Sequence, residues 1–315
     1  AVRKQLGEIT SARTPYVLVL AGDHLYRMDF EAMGAFMEET KADIVVAVQP
    51  VSKNDTNRFG ILKRGKDFRI TDFAEKPKDP QVLKKMVSRS DPEKPYLGSM
   101  GIYLFKKEVL DEMLKGTSFD DFGGHVIPAA LGTHKVVGYD FNGYWEDIGT
   151  IRSFYDTNLL LTTPNSPFNF VDPDNPIYTH PRFLPGSTIE DSHLENVLLA
   201  EGCTIQNADI RHSVVGLRSQ IRSGVRMIDT IMMGGDYYET ACRDETSEYG
   251  VCMGIGDGAD IEGAIIDKNA HIGRGTIIRP FPRGTDIDSE KWVVRDGIVV
   301  IPKNAVLLPG SIIRP

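Results

Sequence analysis

The segment Ser187–Gly224 reads STIEDSHLENVLLAEGCTIQNADIRHSVVGLRSQIRSG and decides the fold of the second half of the chain. Aliphatic residues recur in it every five or six positions, and the same rhythm returns after residue 254. Helices and strands have shorter periods, whereas hexapeptide β-helices turn one aliphatic side chain inward in each short strand. The rhythm predicts a left-handed parallel β-helix over residues 186–315, with inward side chains at Ile189, Leu194, Leu199, Ile205, Ile210, Val215, Ile221, Ile255, Ile261, Ile266, Ile272 and Ile278.

Glycines between these positions suit the corners of such coils. We expect Gly202, Gly216, Gly224, Gly256 and Gly273 to occupy corners that tolerate a positive φ. An irregular β-sandwich of short strands is the alternative fold for this half.

The first half alternates short apolar runs with amphipathic stretches, which is typical of an α/β domain with a mainly parallel sheet. The predicted strands are 16–21, 43–48, 100–105 and 135–141, and the predicted helices are 31–40, 81–87, 107–114 and 151–161. Residues 162–185 contain six prolines in twenty-four residues, which indicates an extended connector. We therefore expect a catalytic domain over 1–161, a linker over 162–185 and the β-helix from 186.

The composition of the chain argues against several classes of partner and ligand. The formal net charge is −8, so a nucleic-acid or anionic-membrane partner is not expected, because either requires a clustered basic face. The chain has no run of about eighteen apolar residues, which a membrane-spanning helix requires. Its three cysteines have no metal-ligand spacing.

Three polar clusters in the first half can carry chemistry. Asp23 follows the apolar run Tyr16–Leu20, and ligands bind at the carboxyl ends of strands in open α/β sheets. Lys76 precedes Pro77, which favours an extended backbone that would present the lysine rigidly to an anion.

The third cluster is Tyr144–Gly149, which reads YWEDIG and contains two adjacent carboxylates. One of them and Asp23 could form a magnesium site, since this ion is usually held by one or two carboxylates together with substrate phosphates and water. The alternatives are that Asp23 caps a turn and that Asp147 caps the following helix.

These clusters resemble sequence motifs of the sugar-nucleotide-forming nucleotidyltransferases. Their amino-acid sequences are similar to those of the glucose-1-phosphate adenylyltransferases. The motifs that carry the resemblance span nearly the whole chain. They are GDHLYRMDF (22–30), FAEKP (73–77), SMGIYLF (99–105), YWEDIGTI (144–151), PIYTHPRFLP (176–185), HSVVGLRS (212–219), MMGGDYYET (232–240) and AIIDKNAHIG (264–273).

The resemblance implies a Rossmann-like catalytic domain that makes ADP-glucose and pyrophosphate from ATP and glucose 1-phosphate, in glycogen or starch synthesis. It implies that Asp23 and Asp147 hold Mg²⁺ and that Lys76 binds the sugar phosphate. It also implies that Glu75, Ser99 and Gly60 contact the glucose ring and that Trp145 walls the pocket. Because the attacking phosphate is already an anion, catalysis needs positioning and charge neutralisation, not a general base.

The resemblance also implies regulation and assembly. Positions that match effector-binding motifs are Arg182, Lys268 and Lys303, which would bind anionic metabolites, although ordinary surface cations are the alternative. A homotetramer is expected, in the bacterial cytoplasm or, as the alternative, in a plastid.

One family feature does not occur in these 315 residues, namely the glycine-rich loop GGGxGTRLxPLT that cradles the triphosphate. We expect it to lie upstream in a longer parent and the chain alone to have little activity. Three rival functions remain: a non-catalytic regulatory subunit, a transferase for another base or sugar, and an acyltransferase that uses His193, His212 or His271.

Overall fold

A computed structural model describes residues 2–239 and 250–315. The chain divides into two compact units, Ala1–Trp145 and Glu146–Pro315. Among the described residues, none of the helices combines the length and the apolar content that crossing a bilayer requires.

The N-terminal unit contains one mixed sheet with helices on both of its faces. The strands of this sheet are β1 (Tyr16–Val19), β3 (Ile44–Val51), β4 (Gly60–Arg64), β5 (Ile70–Glu75), β6 (Tyr96–Lys106) and β7 (Val136–Asp140). Outside it lie β2 (His24–Tyr26) and β8 (Trp145–Asp147), which reaches the unit boundary. The helices of the unit are α1 (Leu6–Ser11), α2 (Phe30–Thr40), α3 (Pro80–Met86), α4 (Lys107–Lys115) and α5 (Ile127–Ala130), with 3₁₀ turns at Val2–Gln5 and Lys53–Asp55 and a π-helical turn at Phe122–Val126.

The strand order is β5-β4-β6-β3-β7, and β1 also pairs with β6. The prediction of a mainly parallel sheet is wrong, because of these pairings only β3–β7 is parallel. The short connection between β4 and β5 explains part of the difference, since strands joined by a tight turn must run antiparallel. The predicted strands and helices are present, with ends that differ by a few residues.

Strand β3 shows why this sheet is buried on both faces. Ile44, Val46 and Val48 pack into one core cluster, together with side chains of α4 and α5. Val45 and Ala47 point the other way, into a second cluster that contains Met33 and Met37 of α2. A strand covered on both sides reads as a continuous apolar run, as IVVAV does here.

The C-terminal unit begins with helix α6 (Ile151–Leu160) and continues into stacked short strands. These are β9 (Thr188–Glu190), β10 (His193–Leu199), β11 (Thr204–Gln206), β12 (Asp209–Val215), β13 (Gln220–Ile221), β14 (Arg226–Met232), β15 (Gly254–Ile255), β16 (Asp260–Ile266), β17 (His271–Ile272), β18 (Ile277–Ile278), β19 (Ile287–Asp288), β20 (Val293–Arg295), β21 (Ile298–Ile301), β22 (Val306–Leu307) and β23 (Ile312–Ile313).

Parallel pairing stacks equivalent residues of successive coils into ladders. One ladder runs through Ile189, Ile205, Ile221, Ile255, Ile272 and Leu307. A second runs through Leu194, Ile210, Met227, Ile261, Ile278 and Ile313. A third runs through Leu199, Val215, Met232, Ile266 and Ile301. All the predicted inward positions lie on these ladders, so the predicted β-helix is confirmed.

Helix α6 packs on the β-helix, and for this reason it belongs to the second unit although the sequence grouped it with the first. Tyr155 and Leu159 of α6 lie in one apolar cluster with Ile231, Ile265 and Ile298. Arg152 adds a polar anchor, because its Nε donates to Asp296 Oδ2 at 2.9 Å.

The corner glycines serve two different purposes. Gly202 and Gly224 have φ of 74° and 75°, as predicted. Gly216, Gly256 and Gly273 are absent from the positive-φ positions, so the prediction is wrong for them. They are glycines because the next coil is too close: a Cβ at Gly216 would lie 2.4 Å from Met233 O.

This distinction predicts two sizes of effect. Gly258 has φ of 66° and open space around a Cβ, so Gly258→Ala is expected to cost about 1–2 kcal/mol for the left-handed backbone alone. Gly216→Ala forces a side chain against the backbone of the next coil and is expected to cost more, about 3 kcal/mol or above. Calorimetric unfolding of both variants measures the difference, and equal losses would contradict the steric explanation.

Candidate functional site

Strand β6 has a gap in its pairing, and the candidate site lies there. On one edge of β6, β4 pairs as far as Gly98 and β1 pairs from Tyr103 onward. On the other edge, the register of β3 shifts between Val46 and Val48, opposite residues 100–102. Gly101 inside the gap has φ of 69°. The start of β4 and the end of β1 therefore both point at the Ser99–Ile102 segment.

Gly60 and Glu75 face each other at the start of the β4–β5 ladder. A Cβ at Gly60 would lie 2.4 Å from Phe73 Cζ and 2.9 Å from Glu75 Oε2, so a larger residue here would have to displace these two side chains. Ser99 is buried nearby on β6, with its hydroxyl 3.5 Å from the phenol oxygen of Tyr103. The structure thus places the predicted sugar contacts Gly60, Glu75 and Ser99 on adjoining strands.

The electrostatics of this cluster bring in two residues that the sequence did not indicate. Burial raises the pKa of Glu75, and the nearby charge of Asp121 raises it further, against the opposing effect of Lys76. Burial also raises the pKa of Tyr103 to about 12, with smaller contributions from Glu75 and Asp121. Tyr103 lies inside the quoted motif SMGIYLF, but Asp121 belongs to none of the motifs, and only the fold reveals it.

Gly123 closes the cluster from the π-helical turn. A Cβ at Gly123 would lie 2.8 Å from Glu75 Oε2, so this glycine, like Gly60, leaves room beside the carboxylate. Asp121 begins the same turn, and its Oδ1 accepts the backbone N–H of Gly124 at 3.0 Å. A cavity of about 450 Å³ adjoins the cluster. Its lining includes Ala21, Gly101, Tyr103, Asp121 and Phe122, together with Leu114 of α4 and residues of the N-terminal 3₁₀ turn.

Lys76 directly follows Glu75, and its Nζ lies 3.8 Å from Glu75 Oε1. Its φ is 43°, so the extended backbone predicted from Pro77 is wrong. The chain must leave β5 and reach Pro80, where α3 begins, within four residues, and the turn falls at Lys76. A non-glycine residue held in this region costs on the order of 1–3 kcal/mol, and such strain is concentrated at ligand sites.

Asp23 lies in the loop between β1 and β2, and its side chain is 64% exposed. The neighbouring His24 is nearly buried, at 11% exposure, and packs edge-on against the ring of Trp145 at 5.5 Å. Trp145 in turn lies 4.8 Å from the ring of Phe59, the residue before Gly60. The predicted pocket wall therefore contacts both the Asp23 loop and the start of β4.

Asp147 ends β8 and lies in the second unit, so the predicted pairing of Asp23 with Asp147 stays a prediction. Its Oδ1 accepts the backbone N–H of Gly149 at 2.9 Å. The alternative that Asp147 caps the next helix is wrong, because Thr150 is the N-cap of α6 and forms a capping box with Ser153.

The donor set agrees with magnesium more than with a transition metal. Carboxylate oxygens are hard ligands of the kind that Mg²⁺ prefers. Among the described residues no group of three or more His, Cys, Asp or Glu side chains could hold a metal ion alone. A metal held by one or two carboxylates would therefore need substrate phosphates and water to complete its coordination.

Two of the three predicted effector residues meet at one carboxylate in the second unit. Lys268 and Lys303 both donate to Asp236, from 2.9 and 2.5 Å. The two ammonium groups hold the pKa of Asp236 far below its usual range. Arg182 is exposed in the segment before β9, to which no regular secondary structure is assigned.

The three histidines of the acyltransferase alternative each face a carboxylate. His193 lies 3.8 Å from Glu195, His212 lies 2.5 Å from Asp229, and His271 lies 3.2 Å from Glu239. They stand on different strands of the β-helix, β10, β12 and β17.

The chain matches two families in succession. Residues 1–163 match the family described as nucleotidyl transferase, and residues 182–312 match the GLGC left-handed parallel beta-helix domain. Fold and matches together define a nucleotidyltransferase that carries a left-handed β-helix.

The chain is similar to a plant protein of this architecture, the glucose-1-phosphate adenylyltransferase small subunit, chloroplastic/amyloplastic, of Triticum aestivum. The two are 41% identical over 329 aligned positions, which cover 99% of this chain and 70% of the wheat protein. The chain belongs to the glucose-1-phosphate adenylyltransferase family.

The raised pKa of Glu75 makes a prediction about stability. Since the folded pKa lies above the ordinary value of 4.5, ionising Glu75 costs stability as the pH rises through the folded pKa, and below 4.5 this cost is absent. Glu75→Gln is therefore expected to raise the melting temperature at pH 7, by an amount that shrinks as the pH falls toward 4. The matched control is Glu108→Gln, at an exposed carboxylate of α4. If both variants melt alike at pH 7, Glu75 is not destabilised by burial.

Proposed function

We propose that the protein catalyses the reaction of ATP with glucose 1-phosphate to give ADP-glucose and pyrophosphate, for glycogen or starch synthesis. The observation that carries the proposal is the cluster of Gly60, Glu75 and Ser99 at the gap in β6, beside Lys76. It offers a hydroxyl, a carboxylate and a cation within one small region, which suits a phosphorylated sugar. The identities of the nucleotide and the sugar are inferred from the family match.

The proposed chemistry is a single displacement at phosphorus. A phosphate oxygen of glucose 1-phosphate forms a bond to the α-phosphorus of ATP, and the bond to the bridging oxygen of the β-phosphate breaks, releasing pyrophosphate. The nucleophile is already anionic, so the protein contributes alignment and charge neutralisation.

Each residue then has a defined task. Glu75 accepts hydrogen bonds from sugar hydroxyls, and Ser99 contributes a buried hydroxyl that donates or accepts. Lys76 neutralises the sugar phosphate, and Trp145 supplies an apolar wall that excludes water. Asp23 and Asp147 would hold Mg²⁺, which when bound neutralises negative charge on the phosphates.

The retained carboxylates and lysine favour a catalytic chain over the regulatory-subunit alternative. Asp23, Lys76 and Asp147 are all present, whereas a subunit that had lost catalysis could have lost any of them. The wheat relative is a small subunit by name, which is compatible with either role in a mixed assembly.

The first experiment measures pyrophosphate release from glucose 1-phosphate and Mg²⁺ with ATP, UTP, GTP, CTP and dTTP in turn. It uses the protein together with any sequence that flanks these residues in its gene. Release with ATP alone is expected. Release with another nucleotide would replace the adenylyl assignment, and silence with all five would favour the regulatory subunit.

Asp23→Asn tests the metal assignment within the same assay. It removes a charge from an exposed loop, so we expect turnover to fall by at least about 100-fold while the melting temperature stays unchanged. The control is Asp91→Asn, at a loop carboxylate whose Oδ1 only accepts backbone N–H groups of Glu93 and Lys94. Turnover of Asp23→Asn near that of the control would refute the role of Asp23.

For regulation, we propose that Lys268, Lys303 and Arg182 bind an anionic effector. Asp236 occupies both lysines, so an incoming anion must compete with this carboxylate. The depressed pKa of Asp236 means that its ion pairs persist above its ordinary pKa of 3.8 and are lost only in more acidic solution, so the competition operates at neutral pH.

Inorganic phosphate is the probe for this site, with its effect on the reaction rate as the measured response. Lys303→Ala is expected to raise the half-effective phosphate concentration several-fold, and Asp236→Asn to lower it. Lys84→Ala, at an exposed lysine of α3, is the control. Identical responses in all variants would show that these lysines are ordinary surface cations.

The homotetramer and the cellular location are proposals as well. The plastid location in the name of the wheat relative supports the plastid alternative, and the bacterial cytoplasm stays a prediction. Sedimentation of the protein measures its assembly state.

A further inference from the structure

His24 connects the separate parts of the candidate site. It begins β2, directly after Asp23, and its side chain is 11% exposed whereas that of Asp23 is 64% exposed. The imidazole is largely buried although the neighbouring Asp23 projects into solvent. Three contacts hold it in place.

The first contact is a hydrogen bond to the gap in β6. His24 Nδ1 lies 3.0 Å from Met100 O. Since a carbonyl oxygen can only accept, a hydrogen bond between these atoms places the proton on Nδ1. Met100 is fully buried and follows Ser99, at the point where the registered pairing of β6 with β3 is interrupted. His24 therefore donates to the backbone of the segment that carries a predicted sugar contact.

The second contact is with Trp145, whose ring packs edge-on against the imidazole. The indole nitrogen lies 3.3 Å from the same Nδ1. The same Nδ1 cannot both donate to Met100 O and accept from the indole N–H. We assign the shorter contact, to Met100 O, as the hydrogen bond and the longer one, to Trp145, as packing of the two rings. Trp145 continues the contact to Phe59 and so to Gly60.

The third contact is steric. A Cβ at Gly101 would lie 3.4 Å from His24 Cε1 and 3.5 Å from the Cβ of Ala21. The loop from Ala21 to His24 therefore lies directly over the left-handed residue of the gap.

We propose that His24 is a positioning residue that fixes the Asp23 loop against Met100. It thereby sets the distance between the phosphate end of the site, at Asp23, and its sugar end, at Ser99 and Glu75. The inference rests on the proposed function for the identity of those two ends. The hydrogen bond from Nδ1 is the part that carries it, because the bond joins the residue after Asp23 to the residue after Ser99.

Two amides of similar polarity separate the role of Nδ1 from that of the ring. His24→Asn places its terminal amide near the position of Nδ1 and can still donate to Met100 O. His24→Gln places its amide near the position of Nε2 and cannot. His134→Gln is the matched control, at a histidine of the same unit that is also 11% exposed and contacts Glu112 and Thr133.

The expected result is a difference between the two variants. His24→Asn keeps kcat within about 3-fold of wild type, whereas His24→Gln lowers kcat about 10–100-fold, the range expected when reacting groups are misplaced by about 1 Å. The KM for glucose 1-phosphate changes less than 3-fold in both, because Glu75 and Ser99 are retained.

Hydrogen exchange measured by mass spectrometry tests the same contact without activity. Amides in the peptides that span residues 21–26 and 99–103 are expected to exchange faster in His24→Gln and at the wild-type rate in His24→Asn and His134→Gln. Equal kcat losses in the Asn and Gln variants, or unchanged exchange in His24→Gln, would overturn the proposal. If the wild-type protein lacks activity, the proposed function fails, and the exchange measurement still decides whether His24 fixes the loop.

Discussion

The interrupted pairing of strand β6 is the constraint on which the N-terminal site depends. One eleven-residue strand pairs with β3 along one edge and with β4 and then β1 along the other. On that edge the Ser99–Ile102 segment, between β4 and β1, has no registered strand pairing. Gly60, Glu75 and the Asp23 loop lie near this segment because the strands that carry them end or begin beside it.

The β-helix depends on a different constraint, the stacking of equivalent aliphatic side chains from coil to coil. Its ladders are buried with few exceptions, such as Ile189 of β9, which is 46% exposed. Helix α6 uses the outside of the same stack as its platform, through Tyr155, Leu159 and the Arg152–Asp296 pair. Asp147 lies four residues before α6, so the packing of α6 on the β-helix restrains the backbone near Asp147.

The fold of the second half is the easier one to predict from the sequence. Few folds place an aliphatic residue at every fifth or sixth position, and most ladder positions are aliphatic residues that can be read directly from the sequence. The sequence predicts the sheet less well, since the strands of the first half are visible as apolar runs but their directions depend on long-range pairing. Glu75, Ser99 and Gly60 are accessible through motifs. Asp121 and Gly123 are not, because their role arises only when the π-helical turn folds against β5. The backbone at Lys76 contradicts the local preference before a proline, since a tertiary turn overrides that preference.

The most direct test of the central claim is a crystal structure of the protein with ADP-glucose bound. We expect the glucosyl hydroxyls to lie within hydrogen-bonding distance of Glu75 and Ser99, with Trp145 beside the sugar and Lys76 beside the adjacent phosphate. A glucosyl group bound anywhere other than the gap in β6 would contradict this expectation.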